Sequence, residues 1–180
     1  MKEHSLFRSI RLFAVFASIL FCGVSCSQEE RVSLESTQLG PVVVGSPRSG
    51  DPVFKFDAPD GFQWVAEHAM WSHDDLRVSI RPAFSLKPDF PALVAEFTAE
   101  NLRAEKMELT SKELREIEGR PTLLVHAKRL NARYPQEVCV VAFEAESGCA
   151  QLTAIYPADI SPQWKSQLEE SLLHSNYGPL

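Results

Sequence analysis

From Pro52 onward two hydrophobic periods take turns along the chain. Phe54 and Phe56 flank Lys55 with a period of two, and Ala58-Pro59-Asp60-Gly61 follows with turn chemistry, so a short strand and a turn are expected. Phe62, Trp64 and Ala66 alternate with Gln63, Val65 and Glu67. Beyond a polar turn around His68 to Asp75, Leu76, Val78 and Ile80 alternate with Arg77, Ser79 and Arg81, and both stretches predict strands with one wet face. From Asp89 to Arg103 the period becomes helical. Phe90, Leu93, Val94 and Phe97 share one face, Asp89 is placed to cap and Pro91 fits the first turn, which predicts one helix of about three to four turns. Asn101 falls on the same stripe and weakens the far end of that helix.

Met107 to Glu118 is charged and alternates poorly, Gly119-Arg120-Pro121 interrupts it, and Leu123, Val125 and Ala127 then alternate with Leu124, His126 and Lys128. Two strands are expected there. Val138 to Phe143 and Cys149 to Tyr156 surround Glu144-Ala145-Glu146-Ser147-Gly148, a hairpin pattern with a loop of five residues. The chain closes with Ser161 as a cap, Pro162 in first helical position, and Trp164, Leu168 and Leu172 at a spacing of four. That helix has one wide apolar face and needs a sheet beneath it. The order of elements describes an α+β domain, a mostly antiparallel sheet of about six to seven strands with helices packed on it.

Ahead of this body the N-terminus has a different grammar. Lys2, Arg8 and Arg11 precede an apolar block from Leu12 to Phe21, which runs into Cys-Gly-Val-Ser-Cys. A positive end, an apolar middle and small residues are the order of a secretory signal. The stretch from Leu12 to Ser25 falls short of the roughly 20 residues that cross a bilayer core as a helix. Gly23-Val24-Ser25-Cys26 resembles the lipobox of bacterial lipoproteins, in which small residues precede a Cys that receives lipid and becomes the new first residue. Cys26 is therefore the candidate anchor, because bulky Phe21 stands before Cys22 where a small side chain is needed. The resemblance implies palmitate-class acyl chains on Cys26; one chain binds a membrane only marginally, and several hold it stably.

The organisation expected is then a lipoprotein-type signal over residues 1–25, an anchor Cys and flexible linker over 26–51, and a single α+β domain over 52–180. The linker is polar and closes on Gly45-Ser46-Pro47-Arg48-Ser49-Gly50, although Val42-Val43-Val44 could add an edge strand. The expected location is the cell membrane or outer membrane, tethered on the exported side. A secreted or periplasmic soluble protein cut near Ser25 is the alternative.

The element order, together with Phe-Lys-Phe-Asp-Ala-Pro-Asp-Gly-Phe at 54–62, Ile117-Glu118-Gly119-Arg120-Pro121 before a strand, and Leu152-Thr153-Ala154 before the final helix, resembles the PsbP-like fold family. That group includes Mog proteins, PsbP photosystem subunits and LpqN-type bacterial lipoproteins. The resemblance covers roughly residues 52–175 and rests on the order of elements. It implies an α/β/α sandwich whose members mostly bind partners or serve as accessory subunits. No site residue of the family maps onto this chain position by position.

Charge narrows the partners. Without residues 1–25, the chain keeps 15 basic and 23 acidic side chains, a net charge of about minus eight with His neutral. Such a surface repels phosphate backbones, and no run of Lys or Arg interleaved with aromatics offsets it, so nucleic acid is not an expected partner. The partners expected are membrane lipid, through acylated Cys26, and an envelope protein.

Candidate chemistry is sparse. If Phe143 faces Cys149 across the hairpin, Cys139 lies four positions up its strand, about 13 Å away, whereas a disulfide needs Cα atoms within about 7 Å. Two separate, packed thiols are expected. His126 would lie diagonal to Cys139 if the strands flanking Asn131 to Gln136 pair, a thiol and base arrangement for which the sequence shows no third orienting group. His68, His73, Asp74 and Asp75 are the densest set of metal-ligand types, yet their spacing fits ordinary turn chemistry and no closed metal site. Beside them, buried anchoring is the expected role of Trp71, and an apolar tip formed by Met70 and Trp71 is the alternative. Neither a Gly-x-Ser-x-Gly elbow nor a Gly-rich phosphate loop is present. No catalytic residue, cofactor or metal is assigned. The function expected is a membrane-tethered, non-catalytic binding or accessory lipoprotein of the bacterial envelope; the alternative is a small envelope enzyme using Cys139 with His126, or Asp74 with Asp75.

Overall fold

In a computed structural model of the chain, which describes residues 42–44, 53–56, 58–85, 89–145 and 148–178, the period-two segments pair into two antiparallel sheets. The larger has seven strands in the order β3-β4-β5-β9-β8-β7-β6: β3 (Gln63–Val65), β4 (Met70–His73), β5 (Val78–Ser85), β6 (Met107–Ile117), β7 (Arg120–Arg129), β8 (Gln136–Ala145) and β9 (Gly148–Pro157). The smaller joins β1 (Val42–Val44), β2 (Val53–Phe56) and β10 (Asn176–Gly178), with β2 in the middle. Val42–Val44 is the edge strand its apolar run suggested, and Val42 lies opposite Phe56.

The central strands are buried on both sides, so their sequences run apolar instead of alternating: Thr122 to Val125 and Val138 to Phe143 are continuously buried. One face carries Leu124, Cys139, Val141, Phe143, Leu152 and Ala154 against Leu168 and Leu172 of the terminal helix α3 (Pro162–Leu173). The opposite face carries Leu123, Val125, Val138, Val140 and Ala142. It is covered by α1 (Phe90–Glu96) and α2 (Ala99–Ala104), which bury Phe90, Leu93 and Leu102, and Lys112 from that face donates to the Val94 carbonyl at 2.6 Å. This is the expected α/β/α sandwich. Each fully buried Leu contributes about 1.5–3 kcal/mol, and Leu123, Leu124, Leu152 and Leu172 all have 0% exposure. Ser161 caps α3, its Oγ accepting from Trp164 N at 3.3 Å.

Three local expectations are corrected. The helix drawn through 89–103 is broken into α1 and α2 at Thr98, whose backbone is extended and whose Oγ1 accepts from Asn101 N at 3.1 Å. Asn101 Nδ2 in turn donates to the Glu96 carbonyl at 2.7 Å. Two side chains that compete for backbone groups thus end one helix and start the next. The polar turn drawn across His68 to Asp75 contains β4. A 3-10 turn (Ala66–His68) and Ala69 at φ 46° reverse the chain ahead of it, and the tight turn is Asp74–Arg77, closed by Arg77 N donating to Asp74 O at 3.1 Å. The β8–β9 connection is two residues long instead of five, because pairing continues through Glu144↔Cys149 to Ala145↔Gly148. Glu144 is exposed, so a charged residue extends the ladder without cost to the core.

Candidate functional site

The chemistry-bearing residues meet where α3 crosses the sheet. His126 of β7 is directly opposite Cys139 of β8, nearer than the diagonal placement expected, and directly opposite residues in an antiparallel pair share a face. The same row continues to Ala154 of β9 and Ile80 of β5. Above it, α3 presents Lys165 and Glu169, four residues apart on the flank of the Leu168 and Leu172 stripe. Glu169 Oε2 lies 3.2 Å from His126 Nε2, and its Oε1 accepts from Arg115 Nη1 of β6 at 3.1 Å. Arg115 also pairs with Glu113 at 2.9 Å, which raises its already high pKa. Lys165 Nζ donates to Glu137 Oε2 of β8 at 2.8 Å and to the Ala158 carbonyl at 3.1 Å.

Folding therefore supplies the third group that the sequence did not reveal. Cys139, His126 and Glu169 stand as thiol, imidazole and carboxylate, with Arg115 tying the carboxylate to β6. Their geometry invites comparison with thiol nucleophiles, but the thiol fails the chemical test. Cys139 is 1% exposed; burial pushes its pKa up, the Glu169 charge pushes it further, and Arg115 only partly opposes them. A protonated thiol without solvent access is not a nucleophile. What the arrangement does is join α3 to three adjacent strands through charged contacts at its partly exposed flank. Tyr156, at the same flank, is likewise held protonated by burial, and Lys165 Nζ sits 5.8 Å from its ring centroid. Glu169 could have been anticipated from sequence, since it follows Lys165 by four and is displaced by one from the apolar stripe.

Cys149 lies opposite Glu144, five positions along the ladder from Cys139, or about 17 Å, so the two thiols are not joined to each other, as expected. The His68, His73, Asp74 and Asp75 set does not converge. His73 turns inward over Gly61, packs edge-on against Phe62 and Trp164 at 5.5 and 5.4 Å, and accepts from Leu76 N through Nδ1 at 3.4 Å. Asp74 accepts from Ser72 Oγ at 3.0 Å, and His68 and Asp75 stay at the surface. Among the described residues no three His, Cys, Asp or Glu side chains are grouped to hold a metal ion. Trp71 takes the expected buried role and forms no apolar tip: it is fully buried between Phe56 and Trp64, both 5.0 Å away. Cys26 lies outside the described residues.

A second polar junction, unnoticed in the sequence, is built on Arg120. Its Nη2 donates to the Ser175 carbonyl at 2.8 Å and reaches the Leu173 carbonyl at 3.4 Å, while the guanidinium lies 3.6 Å from the Phe143 ring centroid. Arg120 thereby ties the start of β7 to the C-terminus of α3. The only sequence signal is its place after Gly119, whose φ of 76° completes a tight turn with Glu118 at 53°.

No family model and no curated protein matches the chain. Solved structures do. Cyanobacterial PsbP (CyanoP) from Synechocystis aligns over 81% of this chain and 97% of its own, with a TM-score of 0.55 and 12% identity. LpqN of Mycobacterium tuberculosis, described as involved in cell envelope biogenesis, aligns over 77% of this chain and 90% of its own, with a TM-score of 0.58 and 13% identity. At such identities the likeness is one of architecture. The seven-stranded antiparallel sheet, helices on both faces and a helix closing the chain give this protein the PsbP-like fold.

Proposed function

We propose that this protein is a non-catalytic binding or accessory lipoprotein of the bacterial cell envelope, processed before Cys26 and held to a membrane by acyl chains on that residue. The observation that carries the reading is the order of residues from Lys2 to Cys26: positive charges, an apolar block too short to span, then Gly23-Val24-Ser25-Cys26. One finding supports it: LpqN, of the same architecture, is described as involved in cell envelope biogenesis. No helix among the described residues is long and apolar enough to cross a membrane. The reading takes a non-catalytic form because the thiol, imidazole and carboxylate set assembled among the described residues has its thiol buried and protonated. Its domain plan is a signal over 1–25, an anchor and linker over 26–51 and the sandwich from 52, with Val42–Val44 reaching back to pair with β2.

The test is the intact mass of protein extracted from membranes, with fractionation of Cys26→Ser beside it. Loss of residues 1–25, a mass increment for acyl chains and release of the variant into the soluble fraction are expected. A Cys26→Ser protein that sediments with membranes as firmly as its parent would refute the anchor.

A further inference from the structure

We infer that the chain pairs with a second copy of itself along the outer edge of β6, antiparallel, about a two-fold axis through Leu114. Among the described residues β6 ends the seven-stranded sheet, and it is long, running from Met107 to Ile117. The opposite edge, β3, has three residues. An exposed edge offers a row of backbone donors and acceptors, which proteins blunt with bulges and charges. Here the devices leave a defined window. A register irregularity between Leu109 and Ser111 interrupts the strand at one end, and the Glu118-Gly119 turn closes it at the other. The regular run between them is Ser111 to Ile117, and its midpoint is Leu114, at 62% the most exposed large apolar side chain described.

The sequence of that window is complementary to its own reverse. Pairing Leu114 with Leu114 of a second copy sets Glu113 opposite Arg115, and Lys112 opposite Glu116, on both sides of the axis. Each opposition is between unlike charges, whereas like charges directly opposite destabilise a ladder. The faces agree too. A two-fold axis normal to the sheet keeps each side chain on its own face, so Lys112, Leu114 and Glu116 meet their counterparts on one face, and Glu113 and Arg115 on the other. Existing contacts are compatible: Glu113 and Arg115 of each copy would close a ring of four alternating charges, and Lys112 retains donors beyond the one given to Val94. An edge built only to repel neighbours has no need of this symmetry. The pairing is isologous and joins the two sheets into one.

The test uses the full chain purified in detergent. Leu114→Cys, oxidised with copper phenanthroline, is expected to give a covalent homodimer on a non-reducing gel, while the parent, with its own cysteines, does not. Glu116→Cys alone is expected to remain monomeric, since the two copies of residue 116 would stand about 13 Å apart. Co-expressed Lys112→Cys and Glu116→Cys chains are expected to cross-link to each other. In sedimentation equilibrium, Glu116→Lys should raise the dimer dissociation constant at least tenfold, and adding Lys112→Glu should restore it. A parent that stays monomeric at roughly 100 μM overturns the inference. So do self-linking of Glu116→Cys as readily as Leu114→Cys, and failure of Lys112→Glu to restore association.

Discussion

Replacing Arg120 with Ala tests whether one guanidinium fastens the terminal helix to the sheet. The substitution removes a charged hydrogen bond of 2.8 Å to the Ser175 carbonyl, a class of interaction worth about 1.5–3 kcal/mol. It also removes the cation held 3.6 Å from the Phe143 ring centroid, worth about 0.5–2 kcal/mol, and a positive charge at the C-terminus of α3, worth about 0.3–1 kcal/mol. The contacts to the Leu173 carbonyl at 3.4 Å and Asn176 at 3.5 Å sit at the limit of bonding distance and add little. Ordering a long side chain opposes these gains by about 1–2 kcal/mol. The net loss for Arg120→Ala is therefore about 2–3 kcal/mol, which for a domain of this size lowers Tm by roughly 5–10 °C. Arg120→Lys keeps the charge but not the planar fork, and is expected to lose about half as much. Urea denaturation followed by far-UV circular dichroism measures both, and an unchanged m-value ties the shift to stability. An Arg120→Ala unfolding free energy within about 0.5 kcal/mol of the parent's would refute the fastening role.

Three further outcomes are expected. Gly61 has φ 91°, and a Cβ there would stand 2.5 Å from His73 Nε2, so Gly61→Ala should cost about 2–4 kcal/mol and perturb Trp164 fluorescence. His73→Ala in the same chain should recover part of that loss; strictly additive losses would count against the steric cause. Cys139 should resist a maleimide pulse in the native protein at about pH 8 and react after unfolding, as read by peptide mass mapping; labelling at the rate of a free thiol would contradict its burial. Glu118 and Glu170 hold the His174 pKa above the ordinary imidazole value of 6.5. A raised folded value gives stability that is complete below the unfolded pKa and fades as pH climbs through the folded one. The advantage of the parent over His174→Asn should accordingly be larger at about pH 5.5 than at about pH 8, and an equal advantage at both would refute the pairing.

The terminal helix and central hairpin were legible because their signals are local: Ser161 and Pro162 set the start, and Leu168 and Leu172 set the buried face. At Thr98 capping side chains override a continuous apolar stripe, so the local pattern does not show the break. At β4 the strand Met70–His73 has only four residues and its apolar weight lies in Trp71, which matters only once Phe56 and Trp64 close around it. Glu144 has the polarity of a loop residue while facing solvent from within the ladder, so the hairpin pattern predicts a longer loop than the fold contains. Of the polar groups beneath α3, Cys139 and His126 were found because they are neighbours in register. Glu169 and Arg115 come from elements 54 residues apart in sequence, and their meeting is a property of the tertiary fold. The protonation state of Cys139 belongs to that level as well, being set by burial and by Glu169.

The small sheet has a mechanical consequence. Val42, where the described chain enters, lies opposite Phe56, where β2 leaves for the core, so both ends of that hairpin point the same way. A pull from the N-terminal side would open Val42↔Phe56 first, then Val43↔Lys55 and Val44↔Phe54, one rung at a time. Only then would tension reach Phe54 and Phe56, which are sunk in the core and backed by β10 on their other side. Under load the sandwich is thus spared by a short zipper that yields ahead of it.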